Sequence, residues 1–259
     1  MKLLTILNKE LREIVKNKLL LFTVGLPPII FALLPIIMLS AAQSDPLSPA
    51  ELEPILAAEP ALRQLDPVTA TQIIFMNQVI LMFLIVPAMV PLAIASFSII
   101  GEKQARSLEP LLATPITVWE LLLGKSLAAV LPAIAATWAG YAIALLGVYF
   151  VGTSLAFLVA TSTTWLLSML LLAPLLGVAA VGLAVIVSSR VNDTRVAQQA
   201  SLVMILPLIG LFVAQIAGGA LISVQMILLT TLGLLAADAA LLYAAVRLFR
   251  REAILTEWR

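Results

Sequence analysis

The chain has 259 residues, 62% of them hydrophobic and 11% charged, with a net charge of +1 and a mean hydropathy of +1.13. A soluble domain carries about 25% charged residues, so an ordinary soluble globule, a disordered chain and a nucleic-acid binder are excluded, and an all-α polytopic membrane protein is indicated. The chain has no Cys and no His, which removes disulfides, thiolate and imidazole metal sites, Ser-His triads and imidazole proton relays.

Residues 1–18 place Leu3, Leu4, Leu7, Leu11, Ile14 and Val15 at helical spacing, with Lys2, Lys9, Arg12, Glu13 and Lys16 largely on the other face. This pattern predicts an amphipathic helix lying in the membrane interface, its basic residues near anionic headgroups. A helix needs about 20 apolar residues to cross a bilayer. Six stretches meet that length: 19–42, 72–100, 126–151, 164–187, 200–217 and 224–246. The second and third exceed the minimum, so tilt is expected. Ser40-Ala41-Ala42 loosely resembles a signal cleavage site, but the apolar run before it is longer than an h-region of about 7–15 residues, so a retained span is expected. Pro27, Pro28, Pro35, Pro87, Pro91, Pro132, Pro174 and Pro207 fall inside these spans, and each removes an intrahelical hydrogen bond.

The outer loop, 43–71, carries Asp45, Glu51, Glu53, Glu59 and Asp66. Its Ser48-Pro49-Ala50-Glu51 is a capping-box start, and Leu52, Ile55 and Leu56 follow on one side. A short outer helix resting on the span ends is expected. Fourteen of the 15 basic residues flank the spans on one side, and only Arg63 lies on the other. The positive-inside rule makes that side cytoplasmic, with both termini inside and a cytoplasmic tail at 247–259. The whole of 1–259 then reads as a single transmembrane domain in a plasma (inner) membrane.

The stretch Gly101-Glu102-Lys103-Gln104-Ala105-Arg106-Ser107-Leu108-Glu109-Pro110-Leu111-Leu112-Ala113-Thr114-Pro115 is dense in charge within a chain that has almost none. Leu108, Leu111 and Leu112 form an apolar ridge beside Glu102, Lys103, Arg106 and Glu109, and Thr114-Pro115 ends it. A short helix with one apolar and one charged face suits docking into a partner's groove. A second short helix, about 118–125, leads into the third span.

Here the chain resembles a known family. Glu-Lys, then Ser-Leu-Glu-x-Leu-Leu-x-Thr-Pro, then Gly-Lys before the next span, is similar to the permease subunits of type-2 ABC exporters. Six spans, inside termini and an N-terminal interfacial helix are also features of that family, so the resemblance covers essentially the whole chain. It implies that the 101–125 segment is the coupling segment that contacts an ABC ATPase subunit, with Glu102, Lys103, Ser107, Glu109, Thr114 and Pro115 at the matching positions. It further implies a second permease subunit, identical or different. The chain departs from sodium- and drug-exporting relatives, which often carry a large outer domain between the first two spans, so their substrates do not transfer.

Gly124-Lys125-Ser126 suggests a phosphate loop, but the first Gly that motif requires falls at Trp119, and no strand precedes it. No nucleotide site, cofactor or metal is therefore expected in this chain, and ATP and Mg would be used by the partner ATPase. Asp238 is the one acid well inside a predicted span. A carboxylate there costs about 2.5–3.5 kcal/mol on insertion scales, so it is expected to be a buried polar tie to another span, or else part of a pathway. Asn77, Gln78, Gln198, Gln199, Gln215 and Gln225 suit interhelical hydrogen bonds. Ala136, Gly140 and Ala144 have the spacing for close helix contact, and Trp119, Trp138, Trp165 and Trp258 include candidate interface anchors.

The reading is a permease subunit of an ATP-driven exporter working by alternating access within the bilayer, without nucleic acid. The alternatives are a secondary transporter, for which Asp238 is thin support, and a non-transporting membrane assembly protein. An intramembrane protease is disfavoured because one acid without His or Cys assembles no dyad or triad.

Overall fold

The computed structural model describes residues 2–105, 118–218 and 221–248. The segment 106–117, and with it Ser107, Glu109, Thr114 and Pro115, lies outside the described residues, as do Trp258 and the tail from 249. Among the described residues the chain is helical. Helix α1 spans Lys2–Lys16 and α2 Lys18–Ser44, separated by Asn17, whose side chain accepts from the Leu19 and Leu20 N–H groups and so caps α2. Helix α3 (Pro49–Ala58) and a 3₁₀ turn (Pro60–Gln64) form the outer loop. The second span is α4 (Pro67–Phe83) followed by α5 (Ile85–Gln104). Helix α6 runs Val118–Val151. The fourth span is assembled from α7 (Ser154–Ala160), α8 (Thr163–Leu167), a π-helical turn (Ser168–Leu172) and α9 (Ala173–Arg190). The fifth joins α10 (Thr194–Ser201), a 3₁₀ turn (Leu202–Ile205) and α11 (Leu206–Gly218), and α12 (Val224–Leu248) is the sixth.

Six of these helical stretches are long and apolar enough to cross a membrane. Several limits differ from those read off hydropathy. The second span starts at Pro67 rather than 72 because Asp66 caps it, accepting from the Thr69 N–H at 3.0 Å. The short helix expected at 118–125 is continuous with the third span. The fourth begins at Ser154 under a Thr153 cap, and the fifth at Thr194 under an Asp193 cap.

The prolines do not all act alike. Pro27, Pro28, Pro35, Pro91 and Pro132 sit within uninterrupted helices. At three others the regular hydrogen-bond ladder changes just upstream. Pro87 has no N–H for the Phe83 carbonyl, and the helix breaks at Leu84. Pro174 follows the π turn, and Pro207 follows the 3₁₀ turn. In each case the freed carbonyl one turn earlier makes a local change of helix type inexpensive.

The second span is the hub. Its most apolar window is 83% buried, against 12% for the fifth span and 11% for the sixth. Helix α5 packs along α9 and α6, α4 packs on α2, α2 runs along α6, and α12 lies on α9. Close approach of α2 and α6 depends on Gly140, where an added Cβ would lie 2.9 Å from the Pro28 carbonyl oxygen. Small residues at such crossings let backbones gain dispersion contact where lipid is as apolar as the protein. At the outer end Leu52 and Leu62 pack on Ile73 and Ile74, so the outer helix rests on the start of α4. The Ser48 N–H and hydroxyl both donate to Glu51, at 2.8 and 2.6 Å. Gln72, fully buried, donates to the Leu39 carbonyl at 3.2 Å and accepts from the Thr153 N–H at 2.7 Å, stitching α2, α4 and α7 together.

Trp165 is a core residue rather than an interface anchor. It is 2% exposed, stacked on Tyr141 with centroids 5.5 Å apart, and meets the Phe83 ring edge-on at 6.1 Å. Trp138 is half-exposed and donates its indole N–H to the Met169 carbonyl at 3.0 Å, while the Tyr141 hydroxyl donates to the Ala160 carbonyl at 2.6 Å.

Candidate functional site

The face that the N-terminal helix buries overlaps its leucine pattern at Ile14 and Leu11 but is centred to one side of it. Ile6, Glu10 and Ile14, spaced by one helical turn, are buried against α6 and the start of α2, while Leu4 and Val15 are exposed. A glutamate in the middle of a buried stripe requires a partner, and α6 supplies one. Lys125 Nζ lies 2.9 Å from Glu10 Oε1 and 2.8 Å from Glu102 Oε2. It also donates to Ser98 Oγ at 2.6 Å, and Ser98 donates to Glu10 Oε2 at 2.7 Å. Lys9 closes the cluster with a 2.9 Å bond to Glu102 Oε1. Glu10, Lys125 and Glu102 are all under 10% exposed.

This cluster joins three elements. Glu10 belongs to α1, Ser98 and Glu102 to α5, and Lys125 to α6. Burial by itself would raise the Glu10 carboxyl, but the Lys125 charge and hydrogen bond, then Ser98 and Lys9, outweigh it and hold Glu10 below the usual glutamate range. For Lys9, partial burial acts downward, and the Glu102 hydrogen bond and charge prevail, so its ammonium titrates above the usual lysine value.

Helix α5 makes a second set of bonds at its last turn. Lys103 Nζ donates to the Ser189 and Val191 carbonyls at 3.4 and 3.2 Å, and Gln104 Nε2 to the Asn192 carbonyl at 2.9 Å. These are the last carbonyls at and just beyond the C-terminus of α9, where a cation also meets the negative end of the helix. On the far side of the α9–α10 turn, Asp193 accepts from the Arg195 N–H at 2.7 Å.

The two described members of the sequence-derived coupling set are therefore both turned into the protein. Glu102 is buried in the ion cluster and Lys103 grips the end of α9, rather than both presenting a charged face outward. The structure brings Glu102 and Lys103 together on one helix turn, and the other four positions lie outside the described residues. Glu10, Ser98 and Lys125 were not among the sequence-derived candidates. The signal for Glu10 was present, since it shares a four-residue stride with Ile6 and Ile14. For Lys125 it was the flanking Leu121, Leu122, Ala128 and Ala129, all buried, which mark that lysine as facing inward.

Asp238 lies on the buried stripe Ile227, Thr231, Asp238, Ala245 of α12, which faces α9 and the π turn. It is 5% exposed, and neither carboxyl oxygen has a hydrogen-bond partner among the described residues. No polar tie from this carboxyl to a neighbouring span is formed among the described residues. Asp238→Asn is expected to assemble normally with at most modest loss of transport. A strict pH-dependent loss of transport in that variant would point instead to ion coupling through this carboxylate.

The fold defines a class: a multi-pass helical membrane protein, with an amphipathic helix at its start and an anchored charged turn after its second span. A family model described as ABC-2 family transporter protein matches residues 4–245. The chain belongs to that family and is a permease component of an ABC transporter. Such permeases normally work with an ABC ATPase. No curated protein matches the chain.

Proposed function

We propose that this chain is the permease of an ATP-driven exporter, with both termini and the 101–125 segment on the cytoplasmic face. A separate ATPase subunit docks on that segment, and two permease subunits pair in the assembled transporter. ATP and Mg act in the ATPase. Closure of the ATPase pushes the segment, and the spans switch between inward and outward access. Nucleotide must bind the two states with different affinity to supply the work.

The observation that carries this reading is how the segment is mounted. Chain leaving α5 passes Glu102, and chain arriving in α6 reaches Lys125, and those two side chains meet at 2.8 Å. Both ends of the segment are thus pinned to each other and, through Glu10, to α1. Lys103 and Gln104 pin the same end to the α9–α10 turn. A push that reaches these two ends is shared among α1, α5, α6 and α9.

The test separates docking from mounting. Glu109→Arg reverses a charge in the docking segment and leaves Glu10, Ser98, Glu102 and Lys125 themselves unaltered. It is expected to abolish co-purification with the ATPase, or stimulation of its hydrolysis, while thermal stability of the permease stays unchanged. Full ATPase binding and transport in the variant would remove the docking assignment.

A further inference from the structure

A cleft of about 550 Å³ opens between α1, the start of α2 and the last turns of α5. That volume is in the range of small-molecule sites. Its wall is divided by chemistry. Leu20, Ile94 and Phe97 form an apolar floor, and Glu10, Glu13, Lys16 and Lys18 stand around it.

The four charges do not cancel where a ligand would sit. Glu10, Glu13 and Glu102 share two ammonium groups, Lys9 and Lys125, so one negative charge is left on that side of the cleft against the two positive charges of Lys16 and Lys18. Lys16 and Lys18 have no carboxylate partner among the described residues. The N-terminal N–H groups of Leu19 and Leu20 are already capped by Asn17, so the lysines are what remains to meet an anion. Two unanswered ammonium groups over an apolar floor, at the level where an amphipathic helix meets the first span, match a phosphate with acyl chains attached.

We propose that this cleft is a binding site for an anionic phospholipid, whose headgroup phosphate lies between Lys16 and Lys18 and whose upper acyl chain lies on Leu20, Ile94 and Phe97. The lipid wedges between α1 and the bundle directly beside Glu10, so its presence bears on the same helix that the ion cluster holds. The apolar floor is the argument for a lipid over a free phosphate. The site is independent of the transported substrate and of the ATPase assignment.

The test is native mass spectrometry of the full chain, with the subunits that co-purify, extracted in detergent and titrated with phosphatidylglycerol. A saturable lipid adduct is expected. Lys16→Gln and Lys18→Gln are each expected to weaken it about 5-fold, and the double variant about 30-fold. Arg12→Gln, which removes an equal charge from the exposed face of α1 outside the cleft, is expected to change affinity less than about 2-fold. Phosphatidylcholine is expected to bind more weakly, and soluble glycerophosphoglycerol not to compete. Equal losses in Arg12→Gln and the lysine variants would reduce the effect to diffuse surface charge and overturn the site. Effective competition by the soluble headgroup would overturn the lipid assignment in favour of a free phosphate. Absence of a saturable adduct on the unmodified chain would overturn it outright.

Discussion

Lys125→Met is expected to destabilise the folded chain by about 3–5 kcal/mol, read as a large fall in thermal midpoint of the detergent-solubilised protein. The substitution keeps the length and apolar stem of the side chain and removes only the ammonium. Glu10 and Glu102 then face one another, both buried, with the ammonium between them gone, and among the described residues Lys9 is the cation that still pairs with them. The cost comes from the uncompensated charges rather than from lost attraction, so it is reversible by design. Adding Glu10→Gln and Glu102→Gln to Lys125→Met is expected to recover most of the lost stability, since neutral groups of similar shape replace the whole cluster. A midpoint for Lys125→Met within a degree or two of the parent would show that water screens the cluster. The same ions set a pH dependence. The Glu10 carboxyl is held below its unfolded value, so its contribution is complete above the usual glutamate range and fades as acid carries the pH down through the lowered folded value.

Trp165→Ala is the second large effect, about 3–5 kcal/mol by the scale of buried aromatic truncations. The indole is fully buried and packs in one cluster with Tyr141 and Phe83. Lipid tails are as apolar as the side chain, so the loss is of packing rather than of solvent exclusion. The cavity would open beside the break at Leu84, where α4 has already lost a helical hydrogen bond to Pro87. Trp165→Phe should cost much less. The Trp165 indole N–H has no hydrogen-bond partner among the described residues, so removing it relieves an unmatched donor while the stacking ring remains. Thermal unfolding of the two variants side by side checks the point. A Phe variant as unstable as the Ala variant would mean the N–H, not the ring, carries the position.

Much of the architecture was legible along the chain. Hydropathy located six spans, because a backbone in hydrocarbon must close its own hydrogen bonds and so forms long apolar helices. Caps at Ser48 and Gly140's place in a small-residue stripe followed from local chemistry. The places where hydropathy fell short are those where apolar character continues past a structural event. It cannot register a break at Leu84 inside a run of Ile, Leu and Val, nor a start at Pro67 set by the Asp66 cap. Trp165 shows the same limit, since an aromatic near a predicted span end reads equally as anchor or core until its neighbours are known.

The candidate site divides along the same line. The charged turn after the second span is visible in the sequence because charge is so scarce, and family membership across residues 4–245 agrees with the resemblance carried by that motif. What Glu102 does was not visible there. Its partners Lys9 and Lys125 lie far from it in sequence, on helices before and after. The sequence alone determined a helical membrane protein, its number of spans and the segment that stands apart from them, because bilayer insertion and backbone hydrogen bonding act on local composition. Only the tertiary structure decided which face of α1 is buried and that Glu10, Glu102 and Lys125 form one cluster. It also decided that an open, lysine-rimmed cleft lies beside them. Each of these depends on distances between helices, which no local pattern encodes.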